Sequence, residues 1–130
     1  MTGETRMEEG RLGRLCVVRL KPNQDLTEGV EAACRDLGLA WAVIRAGIGS
    51  LNDAHFDSGG RQVGVSGPGL EILTLSGEIA PDASGHPKAE LSGAVCDAQG
   101  KVMGGRFRRG ENIICITLEL MLQEWLPSET

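Results

Sequence analysis

The sequence predicts an α+β fold in which one main α-helix packs against a mostly antiparallel β-sheet. Apolar runs typical of strands occur several times along the chain, whereas a convincing helical pattern occurs only once. The 19 glycines are spread along the chain without repeats, as expected for a sheet with many turns, bulges and close backbone contacts. With 130 residues, of which 41% are hydrophobic and 24% charged, the chain suits one soluble globular domain.

We assign residues 12–126 to this domain. Residues 1–11 are polar and charged and are predicted to form a loose N-terminal tail, and residues 127–130 form a short C-terminal tail. We see no signal peptide, and no run is long and apolar enough to span a bilayer, so no membrane partner is expected. The four cysteines form no C-x-x-C pair and lie in apolar contexts, which indicates buried, reduced thiols and a cytoplasmic location.

The predicted helix has signals at both of its ends. Asp25 suits the N-cap position, and Glu28, three residues later, completes a capping-box-like pair. Gly38 stands where a left-handed residue ends a helix. The apolar residues at helical spacing between these signals form one stripe: Leu26, Val30, Ala33, Cys34 and Leu37.

Extended segments are predicted on both sides of this helix. They cover residues 15–20, 39–46, 51–56, 70–79, 88–96, 101–107 and 112–122. Residues 58–69 hold five glycines and a proline and are predicted to form a loop or irregular hairpin. Both faces of the last segment are apolar, so we expect a central strand or one whose second face meets another subunit.

The segment D-A-Q-G between two of these strands has strong turn chemistry. Asp97 suits the first position of a type I turn, and Gly100 suits the left-handed position that closes a three-residue hairpin loop. This register places Ser92 opposite Arg106. Since residues two apart on a strand share a face, Glu90 is expected on the same side of the sheet.

The hairpin also resembles a known family. The segment G-H-P-K-A-E-L-S-G-A-V-C-D-A-Q-G-K-V-M-G-G-R-F is similar to that of the PPC family, the plants and prokaryotes conserved domain. The capped helix, A-G-I-G-S at 46–50 and L-T-L-S-G at 73–77 follow the family's order. The resemblance implies a compact α+β fold that assembles as a homotrimer. Plant members join this domain to a DNA-binding AT-hook segment, and stand-alone bacterial members are often described as DNA-binding by that kinship.

The resemblance further implies a candidate site. Many prokaryotic members carry H-x-H on the first hairpin strand and G-G-H on the second, which resembles a three-histidine metal site. Here Glu90 and Ser92 stand at the paired positions, and Arg106 stands at the third. A guanidinium is always protonated and accepts no hydrogen bond, so we expect no metal and no cofactor. Glu90 could form a cross-strand ion pair with Arg106, or Arg106 could bind an anionic ligand bidentately.

The candidate ligand-binding set is therefore His86, Glu90, Ser92 and Arg106, near a subunit boundary if the protein trimerises. His86 lies in the loop before the hairpin and either reaches this cluster or remains a solvent-exposed loop residue. No G-x-S-x-G elbow is present, and no cysteine has a polar, activating context. We therefore assign no catalytic residue, and an enzymatic role is not favoured.

A short basic group, R-F-R-R, follows the double glycine. Arg106, Arg108 and Arg109 could contact DNA phosphates, or they could form a solvated hairpin end or an interface charge set. A net charge of −5 and the absence of tyrosine are unfavourable for a nucleic-acid surface. The sequence thus predicts a trimeric, non-enzymatic binding or regulatory module, associated with DNA by resemblance. The alternative is a small-anion binder or an enzyme with a pocket around Arg106.

Overall fold

The computed structural model describes residues 3–128, which form one helix and eight strands of a single antiparallel sheet. The elements in chain order are β1 (Gly10–Leu20), α1 (Leu26–Leu37), β2 (Ala42–Leu51), β3 (Ala54–Ser58), β4 (Arg61–Val65), β5 (Leu70–Pro81), β6 (Pro87–Cys96), β7 (Val102–Phe107) and β8 (Ile114–Pro127). The order across the sheet is β1-β8-β2-β5-β6-β7-β3-β4. The predicted α+β fold is confirmed, and β8 is an inner strand, as its two apolar faces indicated.

The ends of the sheet extend further than the sequence suggested. Gly10 pairs with Pro127, and Arg11 pairs with Leu126, so strand pairing reaches into both segments that were assigned to tails. The remainder of that division into a domain and two tails stays a prediction. Residues 58–69 do contain a strand, since β4 folds back on β3 to form a short hairpin at the edge of the sheet.

The helix begins and ends at the predicted residues. The Asp25 carboxylate accepts a hydrogen bond from the backbone N–H of Glu28 at 3.0 Å, which satisfies one of the free donors of the first turn. Gly38 has a φ of 71°, the left-handed conformation that ends many helices. No helix within residues 3–128 is long and apolar enough to cross a membrane.

The core lies between α1 and the inner face of the sheet. Leu26, Val30 and Cys34 of the helix are fully buried, as are Leu118 and Leu122 of β8. Burial of each large apolar side chain contributes about 1.5–3 kcal/mol. The prediction of four buried thiols is wrong for three of them, because only Cys34 is fully enclosed; all four cysteines are free. Burial raises the pKa of the Cys34 thiol to about 11.

Two buried side chains connect the start of α1 to the loop before β8. The second carboxylate oxygen of Asp25 accepts from the backbone N–H of Asn112 at 2.9 Å. The Asn112 amide in turn accepts from the N–H of His55 at 2.8 Å and donates to the carbonyls of His55 and Arg108. Asn112 is completely buried, so this network determines the path of the loop.

A third buried side chain joins the helix to the first half of β6. Along β6, strand β7 pairs only with Ser92–Cys96, and the helix lies beside the first half of β6. There the Glu31 carboxylate accepts from the backbone N–H of Ala89 at 2.8 Å and also binds the guanidinium of Arg109. The Glu31 side chain is only 5% exposed, and its carboxylate satisfies the backbone N–H of Ala89, a donor that a neighbouring strand would otherwise pair.

We expect the substitution Glu31→Ala to lower the free energy of unfolding by about 2 kcal/mol, because it leaves the buried N–H of Ala89 without an acceptor. Urea denaturation at a fixed protein concentration measures this change. Glu28→Ala is the matched control, since Glu28 approaches the same Arg109 at 3.9 Å but is 56% exposed, and we expect a change within about 0.5 kcal/mol. Equal losses in the two variants would contradict the anchoring role.

Candidate functional site

The β6–β7 hairpin has the predicted register. Ser92 pairs with Arg106, and the turn is closed by a hydrogen bond from the N–H of Gly100 to the carbonyl of Asp97 at 3.0 Å. Gly100 has a φ of 80°, as the turn chemistry required. Ser92 and Arg106 therefore project from the same, outer face of the sheet, away from α1.

A shallow cavity of about 540 Å³ contains this pair. One wall is the β6–β7 hairpin, and the other is the β3–β4 hairpin. In the backbone pairing of β3 with β7, Asp57 lies opposite Arg106. The lining residues are Asp57, Ser58, Gly59, Gly60, Ser92, Gly93, Gly105 and Arg106. The contribution of β3 was missed from the sequence, although the S-G-G turn at residues 58–60 is a hairpin signal.

The double glycine before Arg106 allows the strands to approach closely. A Cβ at Gly104 would overlap the carbonyl oxygen of Gly93 on β6. A Cβ at Gly105 would lie 2.6 Å from the carbonyl oxygen of Asp57 on β3. These glycines are therefore explained by tight packing of β7 between its two neighbours.

Arg106 is exposed, and within residues 3–128 it has no carboxylate within ion-pair distance. The cross-strand pair with Glu90 is not formed. Glu90 instead lies opposite Glu78 and lines a separate depression that also includes Lys88. The Arg106 guanidinium thus remains available to a ligand.

His86 lies at the other end of β6. Its backbone N–H donates to the Asp82 carboxylate at 2.9 Å, and this hydrogen bond lowers the pKa of Asp82. At the rise of about 3.4 Å per residue in a strand, His86 is roughly 20 Å along the chain from Ser92. The structure therefore brings Ser92 and Arg106 together, and it places His86 and Glu90 outside their cavity.

The other two arginines of R-F-R-R bind carboxylates. Arg108 donates to Glu111 at 2.9 Å and to Asp57 at 2.8 Å, and these hydrogen bonds raise the pKa of Arg108. The hydrogen bond to Glu31 likewise raises the pKa of Arg109. Of the three arginines, only Arg106 carries a guanidinium that no described carboxylate neutralises.

The residues at the cavity do not fit a metal ion. A hydroxyl and a permanently charged guanidinium replace the imidazoles that the resemblance implies, and a guanidinium repels a cation. Within residues 3–128, no three His, Cys, Asp or Glu side chains are grouped closely enough to hold a metal. Among the described residues, the cavity thus carries one unpaired guanidinium, from Arg106, beside the Ser92 hydroxyl and the Asp57 carboxylate that binds Arg108.

Comparison with known proteins settles the family. The model of the Plants and Prokaryotes Conserved (PCC) domain matches residues 7–126. The chain belongs to this family. It is 34% identical over 114 residues to the bifunctional protein GlmU of Synechococcus sp. strain JA-3-3Ab, which covers 87% of this chain and 17% of that protein. The chain therefore spans about a sixth of the length of this curated relative.

Solved structures share the PCC fold. A plant- and prokaryote-conserved (PPC) protein of Pyrococcus horikoshii has a TM-score of 0.80 at 21% identity, covering 96% of this chain and 87% of that one. A protein of Bacteroides thetaiotaomicron, described as a candidate DNA-binding protein, has a TM-score of 0.73 at 17% identity, covering 92% and 84% of the two chains. At these identities the likeness shows the fold alone.

Proposed function

We propose that this PCC domain is a self-associating binding module that acts through its ligand or partner rather than through catalysis. The observation that carries this proposal is an apolar patch on the outer face of the sheet. The occurrence of the domain as about a sixth of a larger protein also supports the role of an accessory module.

The outer-face patch extends over three neighbouring strands, β1, β8 and β2. Because Leu120 and Leu122 point into the core, Met121 between them points outward, and it pairs with Val17 on one side and Ala46 on the other. The exposed fractions are 54% for Leu15, 72% for Val17, 37% for Val43 and 67% for Ile48. The outer-face patch comprises Leu15, Val17, Val43, Ala46, Ile48 and Met121.

The Val17–Met121–Ala46 row is apolar across all three strands, and it is bordered on β8 by Gln123 on one side and by the Arg19–Glu119 ion pair on the other. An exposed apolar surface of this kind is typical of an interaction site. A second copy of the chain is the occupant we propose, and three copies correspond to the homotrimer that the family resemblance implies. Such an assembly would also place the Arg106 cavities close to subunit boundaries and repeat them three times.

We expect size-exclusion chromatography with light scattering to give three times the chain mass of 13.8 kDa at micromolar concentration. Val17→Lys should shift the protein toward the monomer, because it would bury an unpaired charge in the interface. Val102→Lys is the matched control, since Val102 is 55% exposed on β7, outside the patch. A wild-type protein that elutes as a monomer, or two variants that behave alike, would contradict the proposal.

The ligand that we propose for the Arg106 cavity is a small anion with carboxylate or phosphate groups. A guanidinium presents donors in a planar fork that matches such groups bidentately, and the Ser92 hydroxyl opposite can donate a further hydrogen bond. The cavity volume of about 540 Å³ is that of a small-molecule site.

Calorimetric titration with citrate and with pyrophosphate tests this ligand class. We expect saturable binding that Arg106→Ala weakens roughly tenfold or more, the loss typical of a hydrogen bond to a charged group. Arg106→Lys should recover only part of the affinity, because lysine restores the positive charge but not the planar fork of N–H donors. Arg35→Ala on the helix is the control. Stabilisation by divalent metals alone would overturn the anion assignment.

DNA is a second candidate ligand, favoured by the description of the Bacteroides thetaiotaomicron relative. Only Arg106 among the three arginines is free to neutralise a phosphate, and the net charge of −5 opposes approach to DNA. A self-associated protein would present several copies of this arginine together.

Fluorescence anisotropy with duplex DNA over a range of salt concentrations tests the second candidate. We expect Arg106→Ala to lower the slope of log affinity against log salt by about 1 per chain in contact. Arg108→Ala should change it less, because the guanidinium of Arg108 already binds Asp57 and Glu111. No binding at low salt would eliminate DNA as a ligand and leave the small-anion proposal standing.

A further inference from the structure

A second cavity, of about 300 Å³, lies at the opposite end of β5 from the Arg106 hairpin's turn and contains both tryptophans of the chain. Its lining residues are Glu8, Trp41, Ala42, Val43, Glu78, Ile79, Ala80 and Trp125. It shares Val43 with the outer-face patch but none of its residues with the Arg106 cavity. Neither the family resemblance nor the proposed anion site gives this cavity a role.

Backbone pairing places Trp41 and Trp125 opposite each other at this cavity. The backbone N–H of Trp125 in β8 donates to the carbonyl of Trp41, just before β2, at 2.9 Å. The ring of Trp125 lies over Gly10 of β1, where any Cβ would overlap it. Trp125 is thereby packed in place, whereas Trp41 leaves 41% of its surface exposed. The cavity is therefore lined by one anchored and one accessible indole, the residue type whose face attracts cations most strongly.

The charged residues of the cavity are both acidic. Within residues 3–128, neither Glu8 nor Glu78 has a cationic partner at ion-pair distance. Glu78 also lies directly opposite Glu90 on β6, and like charges in that position destabilise a sheet. Lys88, the nearest cation on β6, lies opposite Ala80 and lines the neighbouring depression with Glu78 and Glu90. A bound cation would relieve this unbalanced negative charge.

We propose that this cavity binds a small organic cation whose head is an alkylated ammonium group. The faces of Trp41 and Trp125 would attract the cation and pack against its methyl groups, as tryptophan does better than other aromatic residues. Glu78 and Glu8 would balance its charge. The volume of about 300 Å³ lies at the lower limit of small-molecule pockets, so the site accommodates a head group rather than a folded partner.

Titration with choline tests the proposal, followed by calorimetry and by tryptophan fluorescence in parallel. Because the chain has two tryptophans and no tyrosine, its intrinsic fluorescence reports on this cavity alone. The neutral isostere 3,3-dimethylbutan-1-ol has the same shape without the charge. We expect saturable binding of choline that is roughly tenfold tighter than that of the isostere, since the cation–π attraction depends on the charge.

Two substitutions separate the site from general electrostatic attraction. Glu78→Gln should weaken choline binding about fivefold through loss of the balancing charge. Glu71→Gln is the matched control, because Glu71 lies on the same strand but lines a different cavity. The affinity of this variant for choline should equal that of the unsubstituted protein. Trp41→Ala should weaken binding at least tenfold, with folding checked by circular dichroism.

Three results would overturn the proposal. Equal affinity for choline and its isostere would show an apolar cavity without cation selectivity. Equal losses in Glu78→Gln and Glu71→Gln would show attraction to the acidic protein as a whole. The absence of both heat and fluorescence change up to tens of millimolar choline would show that no such site exists.

Discussion

The position of the helix depends on the carboxylates that it carries into the sheet. Asp25 joins the first turn of α1 to Asn112, and Glu31 joins its middle to Ala89 and Arg109. A buried polar group without a partner costs about 1–3 kcal/mol, so these bonds exclude other placements of the helix. Asn112 then holds the loop after β7 against β3, so the hairpin that presents Arg106 is positioned from its far end as well.

The helix covers one face of the sheet and leaves the outer face exposed. On the outer face, the apolar Val17–Met121–Ala46 row lies on β1, β8 and β2 beside the Arg19–Glu119 ion pair, whereas the Arg106 cavity lies on β6, β7 and β3. Association through the apolar row would leave the Arg106 cavity at the margin of the interface.

The parts of the fold that were predictable are those determined by neighbours in sequence. The turn chemistry of Asp97 and Gly100 fixed the hairpin register, and with it the pairing of Ser92 with Arg106. The caps of α1 were equally local. Glu111, a partner of Arg108, is only three residues away, but Asp57 and Glu31, the other partners of Arg108 and Arg109, were not predictable because they lie 51 and 78 residues away in the chain. From the sequence both arginines looked like unpaired charges, because the positions of β3 and the helix relative to them were not known.

The surroundings of His86 and Glu90 could be predicted only in part. Strand alternation correctly placed Glu90 on the face of Ser92 and Arg106, but Glu90 lies opposite Glu78 rather than beside Arg106, and His86 is the exposed loop residue of the second alternative. The helix, not β7, borders the first half of β6, and no local pattern in the sequence indicated where that change occurs.

The β3–β4 hairpin forms one wall of the Arg106 cavity yet ends in solvent at Gly59 and Gly60. Its tip can therefore gain or lose residues without disturbing the hydrophobic interior or the helix. A change in the length of this tip would reshape one wall of the cavity while Arg106 and the strands that hold it keep their positions.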